Sequence, residues 1–285
     1  MRLLEAYKVD AFTTTPYTGN IAGVVPKAEG LSDAQMQRIA REMNVSETAF
    51  VLPATTPGAQ IRLRYFTPAT EIRLCGHATI ASFHLLVEKG MLKAPAQVKL
   101  QTNVGVLEVD VRADGEAFMS SDSLVVEPAP FTRAECAALL GLPVDELREP
   151  ILVIRRTLFV GVSGLKAMEA MRPDLPAIKA EYHRLDGVVP VSFDTPGDAL
   201  TRIRFFAPGL GIDEDPVTGT AHFALAAYAL RAGKIRAPAR FVGEQGHECG
   251  RPGRVSVEVD GSADAPRVRM GGRAVTVFSG TLVAP

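Results

Sequence analysis

Apolar and polar residues alternate over 3–12, which predicts a strand, and 13–19 (TTTPYTG) carries turn chemistry. A second short strand is expected over 20–25. Ser32 then opens a helix: SDAQ is a capping box with Gln35 at its fourth position, and Met36, Ile39, Ala40 and Met43 form the apolar stripe. Asn44-Val45-Ser46 ends that helix, and Glu47-Thr48 leads into a β run over 49–52. Further strands are expected over 61–66, 98–102 and 106–111, with a helix over 78–89 stopped by Gly90. Thr132 to Glu135 is a second capping box, opening a helix that runs to Leu140. The stretch 151–162 reads as one strand, 165–171 as a short helix, and 188–193, 250–260, 267–270 and 274–278 as strands.

One part of the pattern occurs twice. RLRYFTPATEIRLCGHATIASFHLL, over 62–86, returns as RIRFFAPGLGIDEDPVTGTAHFALAAYAL over 202–230. Arg64 to Pro68 lies over Arg204 to Pro208, and Gly76-His77-Ala78 over Gly219-Thr220-Ala221. The second copy has a longer loop. Each copy is a β-rich segment, a polar loop with Pro, a Gly, and a small-residue helix. The helix over 221–232 is apolar nearly all round and should be buried. A curved antiparallel sheet wrapped around such a helix is the economical arrangement, and two of these units give an α+β protein with a cleft between them. The halves are expected over 1–118 and 119–278, with the tail 279–285 packing back on the first.

Composition narrows the class of function. Of 285 residues 47% are apolar and 22% charged, and the formal charge of −1 gives no reason to expect a nucleic acid or an anionic membrane as partner. Three cysteines at wide spacing argue against a disulfide framework and for a reducing compartment, so a cytoplasmic location is expected. No apolar run approaches the roughly 20 residues that span a bilayer, and the start MRLLEAYKVDAF is unlike a secretory leader.

Candidate chemistry gathers at the repeat. A glycine at a helix start leaves backbone N–H groups open to a carboxylate, which makes Gly76 and Gly219 candidate substrate-binding positions. Glu47 stands at a helix-to-strand junction, where an acid is either a solvated loop charge or a functional group. Asp215 shares its loop with Asp213 and Glu214; it could serve as a helix cap, or three crowded like charges could shift one another for acid–base work. His77 could bind a substrate group or cap its own helix. Cys75 could be a thiolate nucleophile or acid–base group at a helix N-terminus, or a small buried hydrophobe. Cys75 and His77 supply two potential metal ligands without a partner cluster, so no metal is expected. His84 and His222 read as packed residues. The Gly209-Leu210-Gly211 pair lacks the third glycine of a dinucleotide fingerprint, so no nucleotide cofactor is expected either.

The ordered set VDAF…GN, MNVSETAFV, FTPATEIRLCGHAT and GIDEDPVTGTA spans essentially the whole chain. It resembles the PhzF-like phenazine-biosynthesis family, of the diaminopimelate epimerase fold superfamily. The resemblance implies two pseudo-symmetric halves, each a β-barrel-like sheet around a central helix, with the active site between them. It also implies a homodimer, a small carboxylate substrate, and no metal or organic cofactor. In the family's isomerase a glutamate of the SET motif moves a proton between carbons of a cyclic dihydro-hydroxyanthranilate, and that glutamate falls on Glu47. The substrate-binding aspartate falls on Asp215, the GH pair on Gly76-His77, and the small hydroxyl residue on Thr220. Three positions depart from the family pattern: Cys75 stands where the isomerase has alanine, and in Val217-Thr218-Gly219-Thr220, which replaces Ala-Thr-Gly-Ser, the first and last residues differ.

Three functions stay open at this point. The first is an isomerase whose Glu47, its pKa lifted by burial, is base and then acid, with His77 and Asp215 orienting the substrate. The second is a cofactor-independent amino-acid epimerase or racemase pairing Cys75 with Glu47 or Asp215. Superfamily members of that kind carry a cysteine at each central helix, and the second helix here offers none. The third is a metabolite-binding protein without chemistry.

Overall fold

A computed structural model describes residues 2–121, 124–262 and 265–284. The chain forms two compact units, Met1–Ser120 with Gly271–Pro285, and Ser121–Met270. In the first lie β1 (Leu3–Ala11), β2 (Asn20–Val25), α1 (Asp33–Met43), β3 (Glu47–Pro53), β4 (Ile61–Phe66), β5 (Glu71–Ile72), α2 (Gly76–Glu88), β6 (Ala96–Thr102), β7 (Gly105–Val111) and β8 (Ala117–Ser121). The second holds β9 (Val126–Pro128), α3 (Arg133–Leu140), β10 (Leu147–Ile154), β11 (Thr157–Val162), α4 (Leu165–Ala170), α5 (Leu175–Ala180), β12 (Gly187–Ser192), β13 (Thr201–Ile203), α6 (Gly219–Arg231), β14 (Ala239–Gln245), β15 (Gly253–Gly261) and β16 (Pro266–Gly272). The last strand, β17 (Ala274–Val283), belongs to the first unit.

In the first unit the strands run β17-β1-β2-β3-β4-β6-β7-β8. β2–β3 and β4–β6 are parallel and the other pairs antiparallel. The second unit repeats the pattern as β9-β10-β11-β12-β13-β14-β15, with β11–β12 and β13–β14 parallel. The sheets are therefore mixed and not antiparallel throughout. Parallel neighbours need a crossover connection, and helices supply it: α1 and α2 in one unit, α4–α5 and α6 in the other.

α2 is buried along most of its length and packs on β1, β2, β3 and β17, so the sheet wraps it as the apolar sequence requires. α6 is enclosed in the same way against β10, β11 and β15. On the other face of the first sheet α1 lays Met36, Ile39, Ala40 and Met43 against Leu4, Val25, Phe50 and Phe66. In the second unit Cys136, Leu140, Met168 and Ile178 pack with Leu158, Val188 and Phe206. Both capping boxes form at Ser32 and Thr132. Among the described residues no helix is long and apolar enough to cross a membrane.

Two local expectations change. The stretch 151–162 is a hairpin, broken at Arg155 and Arg156, both at positive φ. That turn ordinarily asks for Asn or Gly. Here tertiary bonds hold it, Arg156 Nε to Asp186 Oδ1 at 3.0 Å and Nη2 to the Tyr182 carbonyl at 3.0 Å. Residues 274–278, expected in the second half, lie in the first unit, because β17 pairs with β1 from Leu3↔Val283 to Ala11↔Ala274.

Candidate active site

The repeat keeps its chemistry in three dimensions. Arg64 grips Glu71 through Nε and Nη2, both at 2.7 Å, and Arg204 grips Glu214 through the same nitrogens at 2.7 Å. Each guanidinium also covers the ring two residues on, Phe66 at 5.2 Å and Phe206 at 4.8 Å. The extra residues of the second copy lie in the loop closed by this clip. Each clip ties a β segment to the loop that leads into the central helix.

In the first unit that loop ends at Cys75, the N-cap of α2. His77, in the first turn, reaches Glu47 at the start of β3, with Nε2 at 3.1 Å from Oε2. α1 ends on Asn44 in the left-handed conformation, and the turn that follows delivers Ser46 and Glu47 to the ring. Ser46 Oγ donates to the Ile21 carbonyl at 3.2 Å and lies 3.3 Å from His77 Nε2. On the other side of the ring, Asn20 Nδ2 lies 3.3 Å from Nδ1 and Cys75 Sγ 3.5 Å from it. Glu47, Cys75 and His77 are 8%, 6% and 6% exposed. One ligand-type atom from each lies within 4.8 Å of the other two, so these three could hold a metal ion.

The electrostatics reverse one expectation. Burial pushes the Glu47 carboxyl up, but hydrogen bonds and charge from His77, with help from Ser46 and Cys75, outweigh it and hold the group below the usual carboxylate range. For His77, burial opposes the charge, while the Cys75 sulfur and the Glu47 carboxylate overcome it, so the imidazole keeps its proton well above its ordinary range. Burial raises the Cys75 thiol, and the nearby carboxylate adds to that. The cluster is thus a buried carboxylate–imidazolium pair with the Cys75 sulfur beside it.

In the second unit Asp215 is 9% exposed, and its N–H donates to the Phe205 carbonyl at 3.0 Å. Thr218, the N-cap of α6 and the counterpart of Cys75, donates its hydroxyl to Asp215 Oδ2 at 2.5 Å. Gln245, fully buried at the end of β14, accepts from the Thr218 N–H at 2.9 Å and donates to the Asp215 carbonyl at 2.8 Å. The three acids of this loop do not crowd together: Glu214 is taken by Arg204 and Asp213 is exposed. Gly219 is buried at the start of α6 and Thr220 is exposed in its first turn. Neither Cys75 nor Thr218 caps its helix with a side-chain hydrogen bond.

His222 is packed as expected, with Nδ1 at 2.9 Å from the Thr218 carbonyl, and burial pulls its pKa down to about 4. His84 is only half-buried, beside Glu88 on a cavity of about 310 Å³ that Asp114 and Arg273 also line. Sequence reasoning did not single out Asn20, Ser46 or Gln245 as site residues. Ser46 adjoins Glu47 and could have been found, whereas Gln245 lies on a strand that was not expected.

A family model described as "Phenazine biosynthesis-like protein" matches residues 9–280. The chain is 35% identical to the uncharacterized isomerase YfhB of Bacillus subtilis (strain 168), over 96% of this chain and 97% of that one. It is 32% identical to the trans-2,3-dihydro-3-hydroxyanthranilate isomerase of Pseudomonas chlororaphis, over 96% and 98%. Among solved structures, a PhzF-family phenazine biosynthesis protein of Bacillus anthracis superimposes with a TM-score of 0.90 at 32% identity, covering 99% of this chain and 100% of that one. A hydroxyproline epimerase of Agrobacterium vitis, 15% identical, shares the fold with a TM-score of 0.67 over 99% and 91%. With the match running nearly end to end, the chain belongs to the PhzF-type phenazine biosynthesis-like family, on an epimerase-like fold.

Proposed function

We propose that the protein is an isomerase that moves a proton between two carbons of a small carboxylate, with Glu47 as the proton carrier. The observation behind this reading is the buried Glu47 carboxylate, kept ionised by His77 at 3.1 Å. An ionised carboxylate shielded from water is ready to accept a proton from carbon. The C–H electron pair moves into the neighbouring bond, the double bond shifts, and protonated Glu47 returns the proton to the far carbon. His77 stabilises the ionised form before and after transfer. In the first unit the uncapped start of α2 at Gly76, with Cys75 beside it, is the proposed holder of the substrate carboxylate; in the second unit Gly219 and Thr220, at the uncapped start of α6, are proposed substrate-binding residues. Asp215 is the proposed partner of a substrate hydroxyl or amino group. The relative from Pseudomonas chlororaphis makes a cyclic dihydro-hydroxyanthranilate the first substrate to try.

The epimerase reading with Cys75 and Glu47 as a pair is weaker. Two-base inversion needs its acid and base on opposite faces of one carbon, about 6 Å apart if each makes a hydrogen-bond-length approach. Here both groups lie within 4.8 Å of each other and of His77.

The test is proton exchange followed by NMR in D₂O, with trans-2,3-dihydro-3-hydroxyanthranilate and a panel of amino acids and cyclic carboxylates. Product formation should be lost in Glu47→Gln, with binding largely kept, and should persist in Cys75→Ala. Turnover by Glu47→Gln would sink the assignment. Turnover lost in Cys75→Ala alone would favour the epimerase reading. Ligand-dependent thermal stabilisation without turnover of any compound would leave a metabolite-binding protein.

A further inference from the structure

Glu47, Cys75 and His77 offer a carboxylate oxygen, a thiol sulfur and an imidazole nitrogen, the three side-chain donors that zinc takes most readily. One ligand atom of each lies within 4.8 Å of the other two. A tetrahedral zinc with bonds of about 2.0–2.3 Å sets its ligand atoms roughly 3.3–3.7 Å apart. Oε2 of Glu47 and Nε2 of His77 are 3.1 Å apart, near this spacing, while Cys75 Sγ lies 3.5 Å from Nδ1 and 3.8 Å from Nε2, so capture requires the thiol to turn toward the Nε2 edge of the ring. The three side chains are already gathered and buried by the fold, which limits the entropy cost of capture to the turn of the Cys75 side chain. An outer partner is also in place. Asn20 sits 3.3 Å from Nδ1, the ring nitrogen that stays free when Nε2 binds a metal, and with its amide turned it accepts the Nδ1 proton.

We infer that Glu47, Cys75 and His77 form an inhibitory zinc site, in which one Zn²⁺ occupies the groups that otherwise carry the proton. Cys75 makes the difference, since without its sulfur only a weak carboxylate–imidazole pair remains. On binding, the thiol and the imidazolium each release a proton, and the fourth position is left to water or a substrate oxygen. Capture of the ion does not depend on the proposed reaction. Inhibition rests on that reading, because it follows only if Glu47 is the proton carrier.

The test uses the full-length protein, freed of metal by chelator dialysis and without substrate. Zn²⁺ is titrated in competition with a chromophoric chelator, and Co²⁺ binding is followed by absorption. One ion per chain is expected, with a sulfur-to-cobalt charge-transfer band. Cys75→Ser should abolish that band and weaken Zn²⁺ by about a hundredfold, and Asn20→Ala should weaken it by about tenfold. Thermal unfolding of each variant checks that the fold persists. No stoichiometric uptake by the wild type, a cobalt complex lacking the sulfur band, or a band lost in Cys249→Ser instead would each overturn the site. If Zn²⁺ binds as described but leaves turnover unchanged, the metal site stands and the assignment of Glu47 fails.

Discussion

His77 Nε2 lies 3.1 Å from Glu47 Oε2 with both side chains buried, and this pairing sets the protonation of the whole cluster. An isolated carboxylate in the same place would be pushed up by burial, as the sequence led us to expect. The imidazolium reverses the sign.

That sign is open to test. In His77→Ala the burial of Glu47 is no longer opposed by a cation, so its pKa should rise. The acidic limb of the kcat/KM profile, which reports the free enzyme's base, should then move to higher pH. An acidic limb that stays in place would show that His77 does not hold Glu47 ionised.

His222 makes the fold sensitive to acid. In the unfolded chain its imidazole takes up a proton near pH 6.5. In the folded protein it does so only at about pH 4. Its neutral burial therefore costs nothing above pH 6.5, and stability is lost as the pH falls from there toward 4, by about 3 kcal/mol in all. Urea unfolding of wild type and His222→Gln at pH 7 and pH 4.5 measures this, and the variant should lose less stability on acidification. Equal losses would remove His222 as a source of the acid sensitivity.

Gly243 gives that ring its space. A Cβ at this position would stand 2.6 Å from Cδ2 and 2.8 Å from Nε2 of His222, whose Nδ1 is tied to the Thr218 carbonyl. Gly243→Ala should cost about 1–3 kcal/mol in urea unfolding. In a His222→Ala background the same change should cost much less, because the clash is gone. Simple additivity of the two changes would show that the ring is not the obstacle.

Local codes in the sequence determined a good part of this protein. Ser32 with Gln35 and Thr132 with Glu135 cap their helices as written, since a capping box is made by residues only a turn apart. The apolar run of α6 declared a helix buried nearly all round, and the internal repeat declared two like units, down to the arginines that clip each loop. Glu47, His77 and Cys75 were each legible as candidates because they sit at element boundaries, where polar groups are otherwise spent on caps.

Tertiary structure decided the rest, for reasons of distance along the chain. The Arg155–Arg156 turn carries no glycine or asparagine and depends on Asp186 and Tyr182. β17 joins the first unit through pairing with β1, from the opposite end of the sequence. Gln245 reaches Asp215 and Thr218 only because β14 runs parallel to β13 across the helix between them. Cys75 and His77 read as an incomplete pair until β3 placed Glu47 against them. A pKa depends on burial and on the nearest charge, and both are properties of the folded chain, so the direction of the shift on Glu47 could be set only there.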